Sequence, residues 1–532
     1  MDSTVFSFAR LLSRALQIRL RCSGSPLAAG SSRHFCTARA PQKTLQSMIW
    51  PLGHPSVNLA PELDRWVARG HRVRLVELQY VIRELRKLRR YKQALEVRVS
   101  LLVPCNRFNA ACLQVSEWMK GKQNIQFMSS DHAVHLDLIG QVNGLLSAES
   151  YFNNMRENDK NEKTYGALLN CYVRERLVEK SLSHIQKMKE LGLVSSPLPY
   201  NDIMCLYTNT GQHEKVPSVL EDMKTNGVLP DNFSYRICIN SYGARSDING
   251  MEMILEEMEH QPQIVVDWNT YTVVANIYIK ASFTDKASSA LKKAEEKLNK
   301  RNALGYNHLI SLYSQLGNKS EMQRLWELQK VNCKKFINKD YTTMLGGLVK
   351  LGAVEEAEVL MKEWESSGNA LDWRVPNVLL IGYRKMGLLE KAEAMLDDYL
   401  KKGKTPAASS WGIVATGYAE KDMMDKAYEL MKNALCVYIS SVGWEPNPTI
   451  VKSILHYLGD NSQSKDVETF IQLLKFAMPI DRDMYHTLIK TYIREGKEMS
   501  ELMQRMKSDG IKENEETRKI LDSASKHTPP HS

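Results

Sequence analysis

Aromatic residues recur along the middle of the chain at one spacing. Tyr165, Tyr200, Tyr235, Tyr271, Tyr306 and Tyr341 are separated by 35, 35, 36, 35 and 35 residues. Two further steps of 35 reach Pro376 and Trp411. A second series follows seven residues behind the first: Tyr172, Tyr207, Tyr242, Tyr278, Tyr313, Leu348, Tyr383 and Tyr418. Residues seven apart lie on one face of an α-helix, so each pair marks a helix with an apolar stripe. A glycine or polar break comes next, as at Gly211, Gly317, Gly352 and Gly387. A small residue then opens a second stripe (Ala287, Ala357, Ala392, Ala427), and a bulky one often stands seven further on (Met188, Met223, Met258, Trp364, Tyr399). Gly192, Gly227, Gly368 and Gly403 end that second helix, where a left-handed backbone needs a residue without Cβ. Each unit therefore reads helix A, tight turn, helix B, turn. A single hairpin cannot bury its apolar face, so the units must stack. The fold class expected is all-α, a superhelical solenoid of tandem helix-turn-helix repeats.

Counted from three residues before the first aromatic, units start at 162, 197, 232, 268, 303, 338, 373 and 408, with weaker ones near 447 and 482. Upstream, Ser129 begins a shorter unit and Leu75 an interrupted one. The layout expected is a presequence over 1–41, a linker and cap over 42–74, about twelve hairpins over 75–514 and a tail over 515–532. In the unit at 75 the pattern holds to Ala94-Leu95-Glu96-Val97, breaks over 98–115 and resumes at Ser116-Glu117-Trp118-Met119. With Pro104 inside it, that insertion does not continue a close-packed helix. It reads equally as a loop proper to the chain, extruded from helix B, or as sequence from a retained intron.

Charge changes the picture at the N-terminus. Residues 1–41 hold Arg10, Arg14, Arg19, Arg21, Arg33 and Arg39 against the single acid Asp2, interleaved with Phe6, Leu11, Leu12, Ala15, Leu16 and Ile18. A basic, acid-poor amphipathic helix is what organelle import acts on, whereas a secretory signal needs an apolar core free of such arginines. Arg33-His34-Phe35-Cys36-Thr37 has the look of an arginine-directed matrix cleavage site. The address expected is the mitochondrial matrix ahead of the chloroplast; the plainer reading is a basic tail. Six arginines less one acid make +5 of the chain's +10. The chain has no run of 18 apolar residues, so no membrane partner is expected. Nine scattered cysteines without a Cys-x-x-Cys pair argue against a disulfide framework and a zinc site.

The units resemble the pentatricopeptide repeat family, most clearly over 197–231 with Tyr200-Asn201, Gly211, Met223, Gly227 and Pro230-Asp231. The related tetratricopeptide repeat prefers a small residue four after the first aromatic. Here that place holds Leu169, Met204, Ile239, Ile310, Leu345 and Leu380, with Ala275 and Ala415 as exceptions. The resemblance covers about residues 75–514 and points to a plant organellar member of the class built only from 35-residue motifs.

The resemblance implies that helix A lines a groove holding single-stranded RNA, one nucleotide per unit. The fifth and last residues of a unit would read the base edge. An amide offers both a donor and an acceptor, and a hydroxyl offers one compact group. On that reading Asn201 with Asp231 resembles a uridine reader, Thr272 with Asn302 an adenine reader, and Thr342 with Asp372 a guanine reader. Asn307 with Ile337 and Asn377 with Ala407 suggest pyrimidines. Gly166 with Ser196, Arg236 with Asp267, Gly412 and Val451 match no reader. Ordinary helix capping by Asn, Thr or Asp is the competing account of each pair. The family's apolar second position, which clamps a base, is kept at Leu198, Phe233 and Leu304 but not at Asn269, Lys339, Arg374 and Ser409. Position thirteen holds a cation in half the units, namely Lys87, Arg174, Lys280, Lys350, Lys385 and Arg494. One cation per unit at one register would make a stripe for phosphates, and a solvated helix face is the bland alternative.

Catalytic signatures are missing. The chain has no His-x-Glu followed by Cys-x-x-Cys, and no glycine-rich loop before Lys-Ser or Lys-Thr. Residues 515–532 are too few for a nuclease domain. Cys171, Cys205 and Cys238 drift in register and read as core or groove fillers. The expectation is a non-enzymatic protein with no catalytic residue, no cofactor, no metal and no small-molecule substrate. It would bind single-stranded organellar RNA and act by occupancy in processing, stability or translation. The alternative is a scaffold subunit associated with the mitochondrial ribosome, without sequence-specific base reading.

Overall fold

The computed structural model describes residues 45, 48, 60–69, 76–83, 116–117, 127–438 and 444–525. The expected presequence, the insertion at 98–115, Lys87 and the residues from 526 onward lie outside that set. Helix α1 covers Ala60–Ala68, and 76–83 are also helical. A hairpin of α2 (Ser129–Val142) and α3 (Leu145–Asn153) then precedes ten further hairpins among the described residues. Their A helices are α4 Glu162–Arg174, α6 Leu198–Asn209, α8 Asn232–Ala244, α10 Trp268–Lys280, α12 Ala303–Gln315, α14 Asn338–Lys350, α16 Arg374–Lys385, α18 Ala408–Glu420, α20 Pro448–Asn461 and α22 Arg482–Glu495. Their B helices are α5 Val178–Glu190, α7 Val216–Thr225, α9 Ile248–His260, α11 Thr284–Glu296, α13 Lys319–Asn332, α15 Val354–Ser366, α17 Leu389–Lys401, α19 Met424–Tyr438, α21 Ser464–Leu474 and α23 Ser500–Ser508. The described residues form no strand, and none of their helices is long and apolar enough to cross a membrane.

The spacing of the sequence becomes the spacing of the core. Tyr200, Tyr235, Tyr313 and Tyr418 are buried, as are the residues three and four after the first aromatic, such as Ile203 with Met204 and Leu309 with Ile310. Each A helix thus buries two faces, one against its own B helix and one against the next unit. Small residues on the B helices sit where two helices approach: Ser181, Ala287, Ala357, Ala392 and Ala427 are fully buried. A buried side chain of Leu or Met size contributes about 1.5–3 kcal/mol, and these residues form one continuous core.

Curvature follows from which helices touch. Every A helix from α4 to α20 packs on the next A helix, and each B helix from α5 to α21 packs on its own A helix or the following one. Of the B helices, only α19 and α21 pack against each other to a comparable degree. Close spacing in one layer and wide spacing in the other bends the array with the A helices inside. At the far end, residues 515–525 form helix α24, Glu515–Ser525, which packs on α22. Its Thr517 hydroxyl lies 2.8 Å from Nε2 of the buried His486. What reads as a tail in the sequence therefore covers the last A helix over those residues.

Candidate nucleic-acid interface

The concave layer brings the fifth residue of a unit to the start of the next A helix. Asn201 is buried, and its Nδ2 donates to Asp231 Oδ1 at 3.3 Å while its Oδ1 accepts from the Ser234 hydroxyl at 2.7 Å. Asp231 is exposed and caps α8, accepting the Ser234 backbone N–H at 2.8 Å. The fifth and last residues of that unit thus meet through a capping box, so pairing and capping are one structure.

The other expected reader pairs are arranged differently. Thr272 is buried and donates to the Asn269 carbonyl at 2.8 Å, while Asn302 caps α12 by accepting from Gly305 N–H at 3.2 Å. Thr342 likewise donates to its own helix, to the Lys339 carbonyl at 2.8 Å. Its partner Asp372 is gripped by Arg374, with Nε 2.9 Å from Oδ1 and Nη2 2.6 Å from Oδ2. That guanidinium holds the Asp372 carboxyl below the usual range. Asn307 is buried, donates to Asp340 Oδ1 at 2.6 Å and leaves its own Oδ1 without a partner. Asn377 is half-buried, donates to Ser409 Oγ at 3.0 Å and accepts from Ser410 Oγ at 2.6 Å.

Between α12 and α14 the groove opens into a cleft of about 390 Å³. Leu304, Asn307, His308, Thr342, Gly346 and Lys350 are among its lining residues. A clamp position, two reader positions and a phosphate position therefore share one cavity wall. Burial, with Lys339 nearby, holds the His308 imidazole below its ordinary pKa and so favours its neutral form. Leu304 is exposed, and the exposed clamp side chains Leu198 and Phe233 lie at the same register in other units.

The position-thirteen cations divide into two groups. Lys280, Lys350 and Lys385 are exposed and form no ion pair among the described residues. Arg174 is held by Asp137 at 3.2 Å, and Arg494 donates to the carbonyls of Gly459 and Ser462. Three free lysines on α10, α14 and α16, outside a pairing network, are available to an anion. Elsewhere, lysines are tied to glutamates across units.

Sequence comparison decides the family. A model described as PPR repeat family matches 199–244, and one described as PPR repeat matches 163–193, 340–369, 375–403 and 409–434. A mitochondrial pentatricopeptide repeat-containing protein of Arabidopsis thaliana is 48% identical over 496 residues, 93% of this chain and 97% of its own length. The chain belongs to the pentatricopeptide repeat family. A second mitochondrial relative from Arabidopsis thaliana is 34% identical, covering 82% of this chain and 84% of its own. At this level of identity, over nearly all of both lengths, the chain is a mitochondrial plant member. Among solved structures, it is similar to maize PPR10 in complex with an 18-nt psaJ RNA element. That match has 16% identity, a TM-score of 0.37, and coverage of 99% of this chain and 88% of that one.

Within the pentatricopeptide register, three features escape sequence reasoning. Arg236, at a fifth position, makes an ion pair with Asp267 at 2.9 Å. Gly412, also at a fifth position, admits the indole of Trp444, because a Cβ there would lie 2.5 Å from that ring. Trp444 lies beyond the helix, in a linker with no repeat signature, so spacing alone gives no signal for it. Asp202 follows the Asn201 clasp, makes no hydrogen bond or ion pair among the described residues, and is pushed up to about 7 by burial. The thiols of Cys171 and Cys238 are buried as core fillers and raised to about 11 and about 12 by that burial.

Proposed function

We propose that the chain binds single-stranded RNA along the concave face of its A helices, in the mitochondrial matrix, and acts by occupancy without making or breaking bonds. The observation that carries this reading is the cleft between α12 and α14. There an exposed apolar clamp (Leu304), amide and hydroxyl groups (Asn307, Thr342) and an unpaired cation (Lys350) surround one nucleotide-sized space. Apolar or aromatic faces stack unstacked bases, polar side chains read their edges, and cations neutralise phosphates. Membership in the pentatricopeptide repeat family, shown by the relatives, supports the reading.

A scaffold role has its own supporting observation in the C-terminal half. There the clamp register holds Lys339, Arg374 and Ser409, and Ser409 accepts from Asn377. That half fits contacts with a larger particle, such as the mitochondrial ribosome, better than base reading.

Filter binding of the purified chain to a panel of short RNAs, at two salt concentrations, tests the proposal. Replacing Asn201 and Asp231 by alanine should relax preference at one nucleotide by roughly 1–3 kcal/mol of discrimination. Neutralising Lys280, Lys350 and Lys385 together should weaken every single strand and flatten the salt dependence. Wild-type affinity no higher for any panel RNA than for its scrambled counterpart would end the base-reading account and leave the scaffold.

A further inference from the structure

Arg236 stands where the unit at 232 would present its reading side chain. Its guanidinium meets two groups that a nucleotide base would use. Cζ lies over the Phe233 ring, 5.8 Å from its centroid, and Nη1 donates to Asp267 Oδ2 at 2.9 Å. Phe233 is the exposed clamp residue of that unit, and Asp267 is its last residue and the cap of α10. The Arg236 side chain is only 17% exposed, against 38% for Asp267. A guanidinium is planar, carries N–H donors along its edge and stacks on aromatic faces, so it fills the same contacts as an unstacked base.

We propose that Arg236 is an internal base mimic, which closes the reading position of the unit at 232 and leaves the facing nucleotide unread. The inference rests on the RNA-groove reading given above. Two consequences follow from the geometry. One face of the Phe233 ring is taken by a residue of the same unit, so a base stacking on that face must displace a partly buried ion pair. The Asp267 carboxylate is neutralised, so it neither repels phosphate nor accepts from a base edge. Arg374 repeats half of the device at Asp372, where a guanidinium grips the last-position carboxylate through two nitrogens. By contrast, Asp231 faces the Asn201 amide and a hydroxyl, with no cation in its hydrogen-bond set. Neighbouring units of one groove thus differ in whether the chain has already occupied them.

Arg236→Asn recreates in this unit the amide and carboxylate found at Asn201 and Asp231. RNAs varied only at the nucleotide next to the one read by Asn201 and Asp231 measure the result. Wild type should bind all four with affinities within about two-fold, well short of the discrimination of a working reader. Arg236→Asn should prefer, by roughly five-fold or more, the base favoured at the Asn201 position. Asp267→Asn gives an independent readout, because asparagine still caps α10 while Arg236 loses its counter-ion. Affinity for every RNA should rise, and the salt slope should steepen by about one unit. Circular dichroism of both variants checks that the helices are intact, and a variant that has lost its fold is replaced by Arg236→Gln, which carries the same amide. If the Asn201 position discriminates but neither variant changes selectivity or salt slope, Arg236 is a structural ion pair only and the base mimic is overturned. If wild type discriminates at neither position, the RNA-reading proposal itself fails.

Discussion

At the scale of single residues, Asp202 is the group whose surroundings oppose its charge. It occupies the register that His308 fills in the cleft, half-buried on α6, and burial alone lifts its carboxyl to about 7 from an ordinary 3.8. Between those two values the folded chain holds a proton that the unfolded chain has released. Stability therefore falls as pH rises from 3.8 toward 7, and the loss is complete above it. Asp202→Asn keeps the shape and removes the charge. It should stabilise the protein at pH 8 by on the order of 1–3 kcal/mol, the usual penalty of an unsatisfied buried polar group. The gain should shrink at pH 4.5, where the wild-type carboxyl is protonated in the fold. Urea unfolding followed by helical signal at both pH values measures this, and an equal effect at both would remove burial of charge as the cause. Sequence reasoning could name the register of the reader residues but not their surroundings. Asn201, Asn307 and Asn377 look alike in the sequence. Only the fold reveals that their amides are tied to Ser234, Asp340 and Ser410 of the next unit.

At the scale of elements, the turn between helix A and helix B repeats one backbone conformation whatever residue it carries. The fifteenth residue of each unit from 162 to 408 has a positive φ. Gly211, Gly317, Gly352 and Gly387 do so at +71° to +75°, and Arg176, Ser246, Ser282 and Asp422 at +57° to +65°. A side chain in the left-handed region costs on the order of 1 kcal/mol, partly offset because glycine leaves the unfolded chain freer. Ser246→Gly and Ser282→Gly should each raise stability by ~0.5–1 kcal/mol, and Gly317→Ser should lower it by a similar amount. Thermal melts of the three variants test the sign; a loss from either serine change would show that the hydroxyl, not the backbone, holds the turn. This turn explains why the fold was so legible. Two mostly aromatic positions and a left-handed break recur at each step of 35 or 36, so helix starts fall at 162, 198, 232, 268, 303, 338, 374 and 408, within one residue of the unit starts. Chemistry between units was less legible, because it joins residues about 25–35 apart whose individual types are ordinary surface ones.

At the scale of the whole molecule, those inter-unit contacts make a chain of staples outside the groove. In each, a tyrosine of one A helix donates to a glutamate of the preceding B helix, and a lysine of its own B helix reaches the same carboxylate. Tyr278 and Lys286 meet Glu252, both at 2.7 Å. Tyr383 and Lys391 meet Glu358, both at 2.9 Å. Tyr418 and Lys426 meet Glu393 at 2.7 and 3.0 Å. Each ammonium also lies over its tyrosine ring, at 5.8, 6.0 and 4.7 Å. A solenoid whose units touch only their neighbours depends on every such joint, because stability propagates through nearest-neighbour interfaces. Hydrogen bonding from Lys286 and Lys391 first, with Tyr278 and Tyr383 adding, holds the Glu252 and Glu358 carboxyls below the ordinary 4.5. Near α21, Lys497 and Ser464 bring Glu495 to about 2. These three groups are lowered in the fold, so their stabilisation is full above 4.5 and is lost as pH falls through the folded values. The sign is opposite to that of Asp202, and the two effects occupy different pH ranges. Replacing Lys286 and Lys391 together by methionine keeps the stems over the rings and removes the charges. At pH 7 the double variant should lose about 1–2 kcal/mol, because half-exposed pairs contribute at most about 1 kcal/mol each. At a pH low enough to protonate Glu252 and Glu358, variant and wild type should unfold at nearly the same urea concentration. High salt at pH 7 should narrow the gap in the same way. A difference that persists undiminished in acid would mean that the lysine stems, rather than the staples, hold the units together.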